Sequence, residues 1–336
     1  MGPSEAPLPC SYLVPIRWAD GESRAEMAAY LEAAAGFCAE LIVVDGSPPE
    51  VFAANHAAFA AHVDAHLPLD PDLDCLNGKV AGVLTAARRA GEEALVIADD
   101  DVRYERPTLA RALELLREHD LVRPQNYFEP LPWHAHWDTA RTLLNRSCGR
   151  DYPGTLVVRR AHLLAGAGYD GDVLFENLEL IRTVEVAGGR VTSPLDLYVR
   201  RRPPTTSHFL GQRVRQAYDD FAIPLRIAAW LALLPLLGCA VARRRASGPL
   251  ALGLGSVVVA ELGRRRQDGN RYFPATASLL APLWLLERGL CSWLAVYARL
   301  RHGGVLYAGS RIAVAATPKR RLRRRLARFP AGARGR

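Results

Sequence analysis

The chain has little of what would staple a small secreted fold. Its six cysteines (Cys10, Cys38, Cys75, Cys148, Cys239 and Cys291) are scattered, with no Cys-x-x-Cys pair. That argues against a disulfide framework or a structural zinc site and for a reducing compartment. The N-terminus carries prolines and acids but no apolar h-region, so a cleavable signal peptide is not expected. Acidic residues are scarce after Phe221, where the chain is arginine-rich and apolar by turns. The net charge of +8 therefore belongs to the C-terminal third. It points to an anionic membrane surface or nucleic acid, not to a basic active site. The arginine run 318–336 lacks an aromatic platform or a recognised nucleic-acid module, so the anionic cytoplasmic leaflet is the expected partner and nucleic acid is not.

At 336 residues there is ample chain for a large core. Its most informative stretch is Leu95-Val96-Ile97-Ala98-Asp99-Asp100-Asp101-Val102, an apolar run that ends in three consecutive carboxylates. The run reads as a buried strand. The acids repel one another, and a hard divalent cation is the usual counterweight. A solvated acidic turn or a helix cap before 108–119 also fits these residues taken alone. Placement decides between the two. Strands are expected at 11–17, 41–44 and 63–67, helices at 25–40 and 49–62, and a further helix from Asn77-Gly78-Lys79 to Ala90. This β-α-β-α-β alternation predicts an α/β fold with a mainly parallel sheet covered on both faces. In such sheets ligands bind beyond the carboxyl ends of the strands, where Asp45 and Asp99–Asp101 fall.

Further on, an aromatic stretch from Tyr127 to Trp137 holds Trp133, His134, His136 and Trp137. It reads as a lid or substrate-lining loop, since no third metal ligand accompanies the two histidines. A turn at 166–171 precedes Phe175-Glu176-Asn177-Leu178-Glu179-Leu180, which opens a helix ending at Gly188-Gly189. Past the breaker-rich junction 203–207, residues 221–242 are nearly all apolar and long enough to span a bilayer. The second apolar stretch, 249–263, is short and also suits a core helix. The third, 273–300, carries Glu287 and Arg288 in mid-course, which suits an interfacial amphipathic helix as well as a span. The expected organisation is a catalytic domain over 1–220, a membrane region with two or three helices over 221–310, and a basic cytoplasmic tail over 311–336.

Together the strand-end residues make one chemical demand. Asp45 is placed to hold a base or ribose, Lys79 to offset a diphosphate, and Asp99 with Asp101 to hold Mg²⁺ or Mn²⁺ across two phosphates. Gln212-Arg213-Val214-Arg215 supplies positive charge for a departing nucleoside diphosphate. A nucleotide-sugar transferase needs this inventory and one base.

In order and approximate spacing, Val14-Pro15, Val44-Asp45-Gly46-Ser47, Asn77-Gly78-Lys79-Val80, Ile97–Arg103, Gly166–Asp170, Glu176–Leu180 with Gly188-Gly189, and Gln212–Gln216 carry a resemblance. The chain resembles the membrane-bound family 2 glycosyltransferases of GT-A fold, in their ceramide glucosyltransferase-like branch. The likeness covers roughly residues 10–220, and Gly303–Tyr307 adds to it. It implies a nucleotide-sugar donor, a lipid acceptor, a multi-pass cell-membrane location with the catalytic domain cytoplasmic, and transfer with inversion. By the same resemblance Glu176, Gln212, Arg213 and Arg215 are the catalytic set. Asp45, Lys79, Asp99 and Asp100 bind the nucleotide sugar, and Asp99 and Asp101 hold the metal. Trp133 or Trp137 would meet the lipid.

Two positions depart from the pattern. Asn177 stands where the family's catalytic Asp falls, and Gln216 replaces a Trp. An amide has no useful proton affinity, so either Glu176, Glu179 or Asp172 supplies the base, or the protein is catalytically weak. The helix-opening position favours Glu176, although the same acids also complement the helix dipole. A soluble nucleotidyltransferase and a non-catalytic membrane scaffold are the rival readings.

Overall fold

The computed structural model describes residues 6–19, 23–149, 151–165 and 168–327. Gly166 and Ala167 of the expected turn, and the tail past Ala327, lie outside them. The chain divides into two compact units that cut across its linear order. One comprises Met1–Pro124, Pro153–Val199 and Thr317–Arg336, and the other Gln125–Tyr152 and Arg200–Ala316.

The first unit is a mixed α/β sheet covered on both faces. Its early strands and helices are β1 (Leu8–Ile16), α1 (Arg24–Ala35), β2 (Cys38–Asp45), α2 (Pro49–Phe59), β3 (Ala65–Leu67), α3 (Gly78–Arg89) and β4 (Ala94–Ala98). They are followed by β5 (Val102–Arg103), α4 (Arg106–Leu116) and β6 (Leu121–Val122). After an excursion to the second unit through β7 (Gln125–Phe128) and α5 (Trp133–Ser147), the chain returns. It then forms β8 (Thr155–Arg159), α6 (Arg160–Leu163), α7 (Glu176–Val186) and β9 (Val191–Thr192). The strand order is β3-β2-β1-β4-β8-β6-β9. β3, β2, β1 and β4 are mutually parallel, as the alternation predicts, while β8 runs antiparallel to both β4 and β6.

Side-chain alternation along the strands explains the two faces. Tyr12, Val14, Leu41 and Val43 pack on one side with α1, α2 and α4; Leu13, Ile42, Val44, Leu95 and Ile97 pack on the other with α3 and α7. Gly82 lets α3 close onto β1, because a Cβ there would lie 2.9 Å from the Pro15 side chain. That contact fixes how far Lys79, one turn earlier, stands from the strand ends.

β10 (Tyr198–Arg201) leads into the second unit, which is largely helical: α8 (Thr206–Tyr218), α9 (Pro224–Ala242), α10 (Ser247–Arg265), α11 (Ala275–Leu279) and α12 (Ala281–His302). A hairpin of β11 (Val305–Tyr307) and β12 (Ser310–Ile312) follows, and α13 (Lys319–Leu326) belongs to the first unit again.

The aromatic stretch expected as a loop is instead helical from Trp133 onward. His134, Ala135, Asp138, Thr139, Thr142, Leu143 and Arg146 are all buried, a spacing of three and four that marks one helix face. His134 is a structural residue there. Its Nε2 lies 2.8 Å from the Pro204 carbonyl and its Nδ1 3.3 Å from the Thr206 hydroxyl, which uses both ring nitrogens.

Among the described residues one helix, α9, is long and apolar enough to cross a bilayer. The expectation of two or three such segments meets only this one. α10 is bound to α5 within its unit. A Cβ on Gly263 would fall 1.9 Å from the Leu143 carbonyl oxygen, and Arg146 donates to the Gly263 carbonyl. On α12 the two mid-course charges have partners in the unit. Glu287 accepts from Arg213 and from Trp137 Nε1, and Arg288 faces Asp220 at 3.6 Å. Desolvated charges are tolerated where such partners exist.

Candidate active site

The site is built where three elements of the first unit end or begin. Asn77 caps α3, its Oδ1 accepting the Lys79 N–H at 3.2 Å while its Nδ2 donates to the Val173 carbonyl at 3.0 Å. One residue thereby ties the start of α3 to the loop that leads into α7. Asp99 follows the last residue of β4, its N–H held by the Gly154 carbonyl at 2.9 Å. Glu176 is the first residue of α7.

Lys79 joins these points. Its Nζ lies 2.5 Å from Asp99 Oδ1 and 2.8 Å from Glu176 Oε1. Burial alone would lower the lysine's pKa, but the charges of Asp99 and Glu176 outweigh it and hold the group well above its usual range. Lys79 is one of only two lysines among 43 basic residues. A compact ammonium with three rotatable donors can serve two carboxylates at once, which suits this position better than a planar guanidinium. The sequence reading assigns Lys79 to a diphosphate; in the structure it neutralises the two acids that flank it.

The other strand-end acids are differently held. Asp45 is buried, its Oδ1 accepting from the Ser47 N–H at 2.8 Å and its Oδ2 from Asn55 Nδ2 at 2.8 Å, with His66 Nε2 3.3 Å away. Burial pushes its pKa up, but the hydrogen bonds from His66, Ser47 and Asn55 prevail and the carboxyl is held below its usual value. Asp100 Oδ2 accepts from Trp18 Nε1 at 2.6 Å, and the Trp18 N–H donates to Ser47 Oγ at 2.8 Å. Trp18 thus links the ends of β1, β2 and β4. Sequence reasoning passes over it because a lone tryptophan after a strand carries no motif. Arg17, also unremarked, is exposed beside the start of α3, its Nη1 3.8 Å from where a Gly78 Cβ would lie. Asp101 follows in the turn and is half-buried.

Among the described residues no three His, Cys, Asp or Glu side chains gather as metal ligands. The donors at hand are the hard carboxylate oxygens of Asp99 and Asp101. Mg²⁺ and Mn²⁺ prefer such oxygens and are commonly held by one or two carboxylates completed by substrate phosphates. The pair fits a cation of that kind, not an all-protein cage.

The three candidate bases separate clearly. Glu176 faces Lys79. Asp172 is exposed and accepts the Leu76 N–H. Glu179 points inward, fully buried, and its Oε2 accepts the Thr317 N–H at 2.6 Å. Asn177 serves as a strut, its Nδ2 donating to the Pro153 carbonyl at 3.0 Å.

Burial pushes the Glu179 carboxyl up to about 7, against the Thr317 hydrogen bonds that lower it. An unfolded glutamate titrates near 4.3, so between those values the native state holds more protons than the unfolded state. The protonated form therefore favours folding at low pH, and stability falls as pH rises towards about 7. Glu179→Gln, whose amide oxygen still accepts from Thr317, is expected to stabilise the first unit by up to roughly 3–4 kcal/mol at about pH 8 and hardly at all near pH 4. Urea unfolding of both proteins at the two pH values checks this.

Gln212, Arg213 and Arg215 lie on α8 in the second unit. Arg213 is buried, its Nε 2.5 Å from Glu287 Oε1 and its Nη1 2.8 Å from Asp138 Oδ1 and 2.9 Å from Gln216 Oε1. Its guanidinium also stacks on Phe209. Burial would raise the Asp138 pKa, but Arg141 and Arg213 hold it well below the carboxylate range. Gln212 Oε1 accepts from Gln216 Nε2 at 3.2 Å. Arg215 is half-buried over the Tyr307 ring, at 4.8 Å from its centroid, with no ion-pair partner among the described residues.

No protein-family model matches the chain, and no curated protein does. Solved structures do. A mannosyltransferase from Pyrobaculum calidifontis, in complex with GDP-mannose and Mn²⁺, is similar at 18% identity over 86% of this chain and 88% of that one, with a TM-score of 0.49. Glucosyl-3-phosphoglycerate synthase from Mycobacterium tuberculosis, in complex with Mn²⁺, UDP and glucosyl-3-phosphoglycerate, is similar at 16% identity over 60% of this chain and 74% of that one, with a TM-score of 0.42. Mannosyl-3-phosphoglycerate synthase from Rubrobacter xylanophilus is similar at 13% identity over 61% and 70%, TM-score 0.42.

Proposed function

We propose that the protein is a metal-dependent inverting glycosyltransferase that moves a sugar from a nucleotide-diphosphate donor to a hydroxyl acceptor. The observation that carries this reading is the half-buried lysine shared by Asp99 and Glu176 at the carboxyl edge of the parallel strands. That edge is where an open α/β sheet takes its ligands. Two acids of different elements gathered on one cation form a site that is costly to bury and has no evident packing role.

In the proposed mechanism Glu176 is the base. Its Oε1 is held by Lys79, so Oε2 takes the proton of the acceptor hydroxyl. The acceptor oxygen then forms its bond to the anomeric carbon as the bond from that carbon to the diphosphate oxygen breaks. The electron pair leaves with the nucleoside diphosphate, and configuration inverts. Lys79 keeps Glu176 charged and aimed. Asp99 and Asp101 would hold Mg²⁺ or Mn²⁺, which would neutralise charge on the diphosphate. Asp45, Asp100 and Trp18 shape the floor of the nucleotide side.

The acceptor is proposed to be a lipid at the cytoplasmic membrane face, because α9 is an exposed apolar helix of spanning length. Within the second unit, Arg215 is the member of the α8 motif with no ion-pair partner among the described residues, and the positive charge that the motif offers is assigned to it, not to Arg213. The test is turnover: the purified protein with Mn²⁺ is expected to release nucleoside diphosphate from at least one of a panel of UDP-, GDP- and dTDP-sugars.

A further inference from the structure

The arginine-rich helix α13 is an ordered part of the first unit with two distinct sides. At 100° per residue, Lys319, Leu322, Arg325 and Leu326 share one side. Leu322 is 2% exposed. Lys319 Nζ pairs with Glu185 Oε2 at 2.7 Å and Arg325 Nη1 with Asp170 Oδ2 at 3.0 Å. Just upstream, Thr317 donates to Glu179, and Arg182 Nη1 donates to the Thr317 carbonyl at 3.1 Å. The segment is therefore strapped along α7, the helix that opens with Glu176.

Arg323, Arg320, Arg324 and Arg321 cover the opposite side, an arc of roughly 160°. All four are exposed, with no ion-pair partner among the described residues. Among the described residues, the acids that pair with α13, Glu185 and Asp170, do so with Lys319 and Arg325 of its inward side. Uncompensated like charges on a rigid arc repel one another, a cost that a polyanionic surface would offset.

We propose that this outer face of α13 docks on the anionic headgroups of a bilayer and so orients the first unit, through α7, towards the membrane. The inference rests on the membrane part of the reading above and not on its chemistry. A lipid surface suits the patch better than nucleic acid. The helix has no aromatic residue on which a base could stack, and the same chain carries the apolar α9.

The test is hydrogen exchange of the full-length protein reconstituted into vesicles of phosphatidylcholine alone or of phosphatidylcholine with phosphatidylglycerol. Each arginine near an anionic surface is worth roughly fivefold in binding, so amides of α13 are expected to exchange at least about tenfold more slowly in the anionic vesicles. The protection should vanish at high salt. It should also vanish in a variant combining Arg320→Gln, Arg321→Gln, Arg323→Gln and Arg324→Gln, which leaves the inward side intact. Equal exchange in the two vesicles overturns the proposal, as does protection by a duplex oligonucleotide at physiological salt without protection by anionic lipid. A chain that does not enter either vesicle overturns the membrane reading instead.

Discussion

Glu176→Gln is expected to slow sugar transfer by roughly a hundred- to ten-thousandfold, the range lost when a positioned general base is removed. The substitution is close to isosteric. A glutamine oxygen still accepts from Lys79 Nζ, now 2.8 Å from Glu176 Oε1, so the geometry around Asp99 should persist. The lysine loses one of its two counter-charges but keeps Asp99 at 2.5 Å, and donor affinity should change little. The loss is therefore expected in kcat, with KM for the donor nearly unchanged, which marks an interaction made in the transition state. Steady-state kinetics of the two proteins, with the stability of each measured alongside, decides this. A fall confined to donor KM would assign Glu176 to binding and return the base to another residue.

Arg213→Ala is expected to destabilise the second unit by about 3–5 kcal/mol, the cost of removing one partner from a buried ion cluster. The guanidinium spans two acids that lie 75 residues before it and 74 after it, Asp138 on α5 and Glu287 on α12. Its loss would leave Glu287 with the Trp137 indole N–H and the weak Cys291 thiol as partners, and Asp138 with Arg141. Arg213→Lys keeps a charge but not the fork that reaches both carboxylates, and should fall between. Arg215→Ala, which loses a stacking contact on Tyr307, should cost no more than about 1 kcal/mol. Five of the six tryptophans belong to the second unit, so indole fluorescence during urea unfolding follows it. Similar stability losses in the Arg213 and Arg215 variants would contradict this division of roles.

The strand-end site was largely legible because its residues follow local rules. Asp45, Lys79, Asp99 and Glu176 each sit where an element ends or begins, and alternation of strands with helices marks those points. The parallel strands up to β4 were readable for the same reason. The antiparallel β8 was not, because direction depends on where α5 sends the chain between β7 and β8. Trp18 escaped because its significance lies in bonds to Ser47 and Asp100, 29 and 82 residues away. Arg213 looked like a free cation for the same reason: its neutralising acids are far off in sequence. The aromatic stretch reads as a loop in the sequence because its two tryptophans and two histidines mask the helical spacing that continues to Arg146. The return of α13 to the first unit had only one local sign, Leu322 within an arginine run, since its acids, Asp170 and Glu185, lie far upstream.

The most direct measurement of the central claim is nucleoside diphosphate release from a nucleotide-sugar panel with Mn²⁺, comparing the unaltered protein with Asp101→Asn. The account predicts release by the former from at least one donor, and its loss in the latter. No release from any donor, or equal release by both proteins, would contradict it.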